Sequence, residues 1–275
     1  MERRTTGIIT LVILIFLSGS RLQAQETYYV TFVKGNVKKG DNVKIKTGDK
    51  LLFQEKVIFA TKDDKLVLLN PQKGRFIVQP EQNTEKVAGE YMLYLKYSMH
   101  LSNEKIKLSS RGDNDVVLEQ YFTANPAINK NILFIGDTKI SLVNAAYKIK
   151  DPASEFFFLQ YTPSGSNPLN HKLKVEHDSL LLSENDFVFE GKVITDSGEV
   201  KLGILQQVSA EKKPVKIVSF YPSYISREDC MALMNTIKQA LGNDKQKVVE
   251  ETFTQLYNNY GKPDISVISA LYDQL

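Results

Sequence analysis

Cys230 is the only thiol in a chain of 275 residues, and His100, His171 and His177 are its only imidazoles. These four side chains bound the nucleophilic and metal chemistry within reach. Cys230 lies near a helix start, where the peptide dipoles favour a thiolate. It also shares a helical stripe with Leu233, Met234 and Ile237, which reads as burial of a small hydrophobe. His171 and His177 are six residues apart; on one strand they would share a face with Leu173 and Val175, while Glu176 points the other way. Zinc sites use a tighter or turn-held spacing and a third ligand, and the sequence offers none. His100 stands alone.

Other patterns carry less. Arg111-Gly112-Asp113 matches the integrin tripeptide, but a tripeptide recurs by chance and reads as a turn. Ser164-Gly165-Ser166 lacks the Gly-x-Ser-x-Gly frame of a nucleophile elbow. No phosphate-cradling glycine loop or calcium loop is present. Asp49, Asp63, Asp64, Asp137 and Asp196 sit in turns, where bonding to the local backbone accounts for them. Tyr91, Tyr94 and Tyr97 are candidates for an exposed binding face, but their three-residue spacing fits a helix better than a strand, which reads equally as packing. The sequence therefore assigns no catalytic, cofactor-binding or metal-binding residue, and no cofactor.

The N-terminus speaks to compartment. Glu2-Arg3-Arg4 precedes an apolar run from Gly7 to Leu17, then Ser18-Gly19-Ser20 and Leu22-Gln23-Ala24. That order is a secretory signal peptide over residues 1–24, cut between Ala24 and Gln25. The run is about half the 20 or so apolar residues that a span requires. No later stretch is long or apolar enough to cross a bilayer. Removing residues 1–24 takes basic residues from 35 to 32 and acidic residues from 32 to 31, so the formal charge falls from +3 to +1. A near-neutral chain has no global field for polyanions, which argues against nucleic acid as a partner. One cysteine excludes an intramolecular disulfide, so burial alone must hold the core.

Four elements follow the leader. Residues 25–80 form a first β-domain, because Tyr28–Val33, Leu51–Phe53, Val57–Ala60, Leu66–Leu69 and Phe76–Val78 are short β-rich runs between Gly, Asn and Asp turns. Strict alternation puts Val57 with Phe59, and Val67 with Leu69, on inward faces. The turn residues Lys62, Asp63 and Asp64 read as dispensable. Residues 81–130 read as a linker, with Met92–Leu95 a strand or short helix and Val116–Phe122 a short helix. Residues 131–221 form a second β-domain of three hairpins, turning at 136–139, 162–165 and 196–199. Residues 222–275 are helical: Ser226 caps a first helix that Gly242 stops, Gly261 and Pro263 end a second, and Asp264 caps a third. The fold class is mainly β with a C-terminal α-helical segment, an α+β chain of two small antiparallel β-domains followed by about three helices.

The stretch "VKGNVK…IKTGDKLLFQEKVIFATKDDKLVLLNPQKGRF" resembles the β-domain of FecR-like proteins of the bacterial cell envelope. Gly35, Val37, Gly48, Asp49, Leu51, Val57, Ala60 and Leu66 to Leu69 fall in step with that pattern, over roughly residues 28–78. Asn70-Pro71-Gln72 replaces the family's usual Asp-Gly turn, and the cytoplasmic segment and membrane span of a FecR regulator do not precede the domain. The resemblance implies an envelope protein, in the periplasm or at the cell surface, and another envelope protein as partner. Together with the leader, it gives the expectation of a non-catalytic structural or protein-interaction module. A glycan- or peptide-binding module is the alternative, and an enzyme is a third reading. Oligomeric state is not encoded in any motif.

Overall fold

A computed structural model describes residues 26–102, 118–142, 149–151, 154–163, 167–189, 192–194, 198–208 and 211–275. Residues 1–24, read from sequence as a leader, therefore lie outside the described residues. The chain divides into two compact units, Met1–Ser102 and Asn103–Leu275.

The first unit holds β1 (Thr27–Lys34), β2 (Val37–Lys39), β3 (Lys50–Leu52), β4 (Lys56–Phe59), β5 (Lys65–Asn70), β6 (Gly74–Val78), β7 (Lys86–Val87), β8 (Glu90–Tyr94), α1 (Leu95–Ser98) and β9 (His100–Leu101). They pair antiparallel in two sheets, ordered β3-β1-β5-β6-β9 and β2-β4-β8-β7. Alternation explains what fills the space between them. Tyr28, Val30, Leu66 and Leu68 from the first sheet meet Val37, Val57, Phe59 and Tyr91 from the second in one core. Val57 and Phe59 point inward as their spacing requires. On β5 the inward pair is Leu66 and Leu68, one residue out of step with the expected Val67 and Leu69. The cause is register: Val30 stands opposite Leu68, and a bulge at Thr31 shifts the pairing before Phe32 meets Val67. Val67 and Leu69 are buried as well, each 2 % exposed, so burial alone could not reveal which face was the core.

The stretch read as a linker is in part structural. Lys86 to Leu101 supplies both strands of a tight hairpin, a helical turn and an edge strand to the first unit. Ala88 and Gly89 make the hairpin turn at φ 54° and 88°, with alanine where asparagine would have signalled it. Met92 is in strand β8, and Leu95 starts the helical turn with its side chain in the core.

The second unit contains α2 (Leu118–Tyr121), β10 (Asn131–Ile135), β11 (Thr138–Ser141), β12 (Phe156–Tyr161), β13 (Leu169–Lys172), β14 (Lys174–Glu176), β15 (Ser179–Leu182), a 3-10 turn (Glu184–Phe187), β16 (Val188–Phe189), β17 (Lys192–Val193), β18 (Val200–Val208) and β19 (Glu211–Ile225). Three helices follow: α3 (Arg227–Leu241), α4 (Lys245–Asn259) and α5 (Ile265–Tyr272). A five-stranded sheet, β10-β19-β18-β12-β13, and a three-stranded one, β11-β15-β14, share a core that includes Phe134, Phe157, Leu159, Leu180, Leu182, Leu202 and Phe220. Phe122, Phe134, Phe187 and Phe220 meet in tilted and edge-to-face pairs at ring separations of 4.5 to 6.4 Å.

Only one of the three expected hairpins forms as read. β12 and β13 pair antiparallel, with Tyr161 opposite Leu169. Across 136–139 the chain instead changes sheet: β10 runs parallel to β19, and β11 pairs with β15. Before 196–199, β16 turns back on β17, while β18 joins β12 and β19. The longest antiparallel pair is β18 with β19, whose ladder runs from Val200 opposite Phe220 to Val208 opposite Glu211. The outer side of β10 is continued by Lys262, whose N–H donates to the Asn131 carbonyl at 2.9 Å while its own carbonyl accepts from Leu133 at 2.9 Å.

The helices end where local chemistry requires. The side chains of Ser226, Asp244 and Asp264 accept hydrogen bonds from the N–H groups of Asp229, Lys247 and Ser266. Gly242 closes α3 at φ 82°. No helix among the described residues is long and apolar enough to cross a membrane.

Candidate functional site

The thiol of Cys230 faces opposing influences, and burial wins. It is 0 % exposed, and burial pushes its pKa up to about 12. A position in the first turns of α3 offers only a modest dipole term, so the group stays a protonated small hydrophobe at neutral pH.

His171 and His177 are not on one strand. The ladder breaks at Leu173, and His177 with Asp178 makes the turn between β14 and β15 at φ 45° and 57°. His171 instead reaches Asp186, with Nε2 2.9 Å from Oδ1, and its ring meets the edge of Phe189. The other Asp186 oxygen accepts from the Ser183 N–H and hydroxyl, at 2.6 and 2.9 Å, in a capping box on the 3-10 turn. Serine, aspartate and histidine thus meet in the wrong order for acyl transfer. A nucleophilic hydroxyl must bond to the imidazole, and here it bonds to the carboxylate. His100 sits 3.4 Å from Glu81 on an exposed edge. Among the described residues, no three His, Cys, Asp or Glu side chains group as metal ligands. Arg111-Gly112-Asp113, Ser164-Gly165-Ser166 and Asp196 lie outside the described residues.

Asp64 is the turn residue whose reading fails. It is 5 % exposed, and its carboxylate accepts from Ala60 N–H (2.9 Å), Thr61 N–H (3.0 Å) and Thr61 Oγ1 (2.7 Å). Gly35 lies against it at φ 83°, where an added Cβ would stand 2.0 Å from Oδ1. Lys262 is a second polar anchor. Its ammonium donates to the carbonyls of Gln120 (3.1 Å), in the last turn of α2, and Thr123 (2.7 Å), just past it, and burial lowers its pKa. Both groups serve the fold. The Thr61-x-x-Asp64 and Ser183-x-x-Asp186 spacings were the available signals for the two carboxylates.

The three tyrosines diverge. Tyr91 is core, 7 % exposed, while Tyr94 and Tyr97 are 50 % and 77 % exposed. The chain is extended through Tyr94 and helical from Leu95, so three-residue spacing does not gather them on one face.

An open groove of about 350 Å³ lies between α4 and α5. Val249 and Ile265 give it an apolar floor, and Lys245, Gln246, Glu250 and Ser269 form its rim. The rim is held in place. Lys245 donates to both oxygens of Asp273, at 2.7 and 2.8 Å, and Gln246 Nε2 donates to Glu250 Oε1 at 2.9 Å. Lys245 is therefore paired with a carboxylate, whereas among the described residues the side-chain bond shown for Glu250 comes from a neutral amide. An apolar floor with a polar, slightly acidic rim suits an apolar side chain flanked by a cation. The apposition of Val249 and Ile265 arises from helix packing and is invisible to sequence pattern.

No family model, curated protein or solved structure matches the chain.

Proposed function

We propose that this chain is a non-catalytic, exported protein of the bacterial cell envelope that acts as a structural and protein-interaction module. Its leader would be cut between Ala24 and Gln25, and its first unit would serve as a FecR-like β-domain. The observation that carries the reading is where the reactive groups are spent. Cys230 is a buried core thiol, Asp64 and Asp186 organise turns, and Lys262 holds carbonyls past a helix end. Side chains consumed in this way support a scaffold.

The partner surface in this reading is the groove between α4 and α5. Its occupant is an apolar side chain of another envelope protein, next to a lysine or arginine that faces Glu250. The charge argument is local: Asp273 offsets Lys245, and Glu250 remains.

The test uses the full chain expressed in its native envelope. Ile265→Glu places a charge over the floor at a helix N-terminus, where an acidic residue is tolerated. Glu250→Lys reverses the rim. The reading expects a cross-linked partner that is lost in both variants, with the cross-link mapped to residues 245–269. A partner retained by both variants removes the groove from the account, and a chain that is not exported removes the envelope.

A further inference from the structure

The sheet β2-β4-β8-β7 has two faces, and the first core takes one of them. Val57, Phe59 and Tyr91 turn into that core. Strand alternation therefore sends Lys56 and Ile58 on β4, and Glu90, Met92 and Tyr94 on β8, to the other face. Register adds Lys38 opposite Ile58, Lys44 opposite Lys38, and Val87 opposite Glu90. Apolar side chains and lysines are thus interleaved on the outer face. Val87 and Tyr94 are 55 % and 50 % exposed there, large apolar groups left to water.

The charge of this face has one sign. Lys38 Nζ crosses β4 to Glu90 at 3.0 Å, which balances that carboxylate. Among the described residues, no carboxylate pairs with Lys44 or Lys56. Just past Tyr94, Lys96 Nζ stands 4.4 Å from the ring centre of Tyr97, itself exposed. The first unit as a whole agrees: residues 26–102 contain 13 basic and 9 acidic side chains, a net +4, whereas residues 103–275 contain 19 and 22, a net −3. The near-neutral total conceals a basic first unit.

We propose that the outer face of this sheet docks on the surface of an anionic lipid bilayer, with Lys44 and Lys56 against phosphate headgroups and Tyr94 and Val87 at the acyl boundary. Charge complementarity is the first argument: a leaflet with anionic lipid has a negative surface potential that draws in lysines. The side chains are the second. Tyrosine and lysine each join an apolar body to a polar tip, which suits them to the zone where acyl chains meet water. Buried apolar area and electrostatic attraction add in such docking, and this face offers both. The inference stands apart from the groove between α4 and α5 and from the leader.

The experiment is co-sedimentation of the full chain, as recovered from the cell, with vesicles of equal parts phosphatidylglycerol and phosphatidylcholine. The protein should bind these vesicles, leave pure phosphatidylcholine vesicles unbound, and release as salt is raised. Each docking lysine contributes about five-fold to the partition, so Lys44→Gln with Lys56→Gln should lower it about twenty-five-fold. Arginine at both positions should restore it, and Tyr94→Ser should lower it several-fold at unchanged charge. Lys34→Gln, on β1 of the other sheet, removes one charge from the same unit and should cost less than about two-fold. Absence of binding to the anionic vesicles overturns the inference. So does binding that survives the two glutamines, or that falls as far with Lys34→Gln as with one of them. A Tyr94→Ser protein that binds like its parent overturns the acyl contact.

Discussion

Replacing Asp64 with alanine should destabilise the first unit far more than its place in a charged surface turn suggests. The carboxylate accepts two backbone N–H groups and one hydroxyl, all within 3.0 Å, at a residue 5 % exposed. Each buried donor left without an acceptor costs about 1–3 kcal/mol. The Thr61 hydroxyl can turn to water, and Ala60 N–H keeps a long bond to the Asn36 carbonyl at 3.3 Å. Thr61 is exposed and Ala60 half-buried, so water can reach their N–H groups, and the net expectation for Asp64→Ala is about 1–2 kcal/mol from the loss of three bonds to a charged acceptor. Asp63→Ala and Lys62→Ala should each stay within about 0.5 kcal/mol, as ordinary surface changes do. Gly35 makes the reasoning sharper. Gly35→Ala adds a methyl 2.0 Å from Asp64 Oδ1 and forces a left-handed backbone on alanine. The backbone part, about 1–2 kcal/mol, remains in any background. The clash disappears when Asp64 is alanine, because the carboxylate is gone. Urea unfolding of the two single variants and the double variant should thus show a double variant less damaged than the sum, by at least about 1 kcal/mol. Strict additivity, or an Asp64→Ala loss no larger than that of Asp63→Ala, would refute the proposed clasp.

Phe59→Ala should cost about 2–5 kcal/mol in the same assay, since the ring is 0 % exposed in the first core. Stability should fall as pH rises from about 9 toward 12, because the unfolded Cys230 thiol ionises in that window while the folded one keeps its proton. The slope from this group is at most about 1.4 kcal/mol per pH unit, and alkaline unfolding of Cys230→Ala beside the parent should show it removed. A thiol reagent should label the native protein slowly and the urea-unfolded protein fast. Asp186→Ala should lose about 1–2 kcal/mol with its capping box, whereas His171→Gln, which removes a partly exposed bond to Asp186 and a ring contact with Phe189, should lose less than about 1 kcal/mol; chemical unfolding separates the two.

Local chemistry made the helical tail legible. Ser226, Asp264 and Gly242 act on neighbours within four residues, and Cys230, Leu233, Met234 and Ile237 repeat at the period of the element they bury. Strand existence was legible for the same reason, from β-branched runs between turns. Strand partnership was not. Gly136 and Asp137 mark a change of direction in either topology, and nothing near them says that β10 lies beside β19, some ninety positions on. β19 itself was hidden by Pro214 and the lysines around it, which break the expected alternation. The groove was illegible because Val249 and Ile265 meet only after α4 and α5 pack. Asp64 looked like any turn aspartate, since its burial depends on Gly35 from a different strand end.

A photo-reactive residue in place of Ser269, on the rim of the groove, puts the central claim to its most direct test in the intact envelope. The account predicts one dominant cross-linked protein, joined through a segment with an apolar side chain beside a lysine or arginine, and lost when Ile265→Glu or Glu250→Lys is added. A Ser269 probe that reacts with no protein, or whose product survives both substitutions, would contradict it.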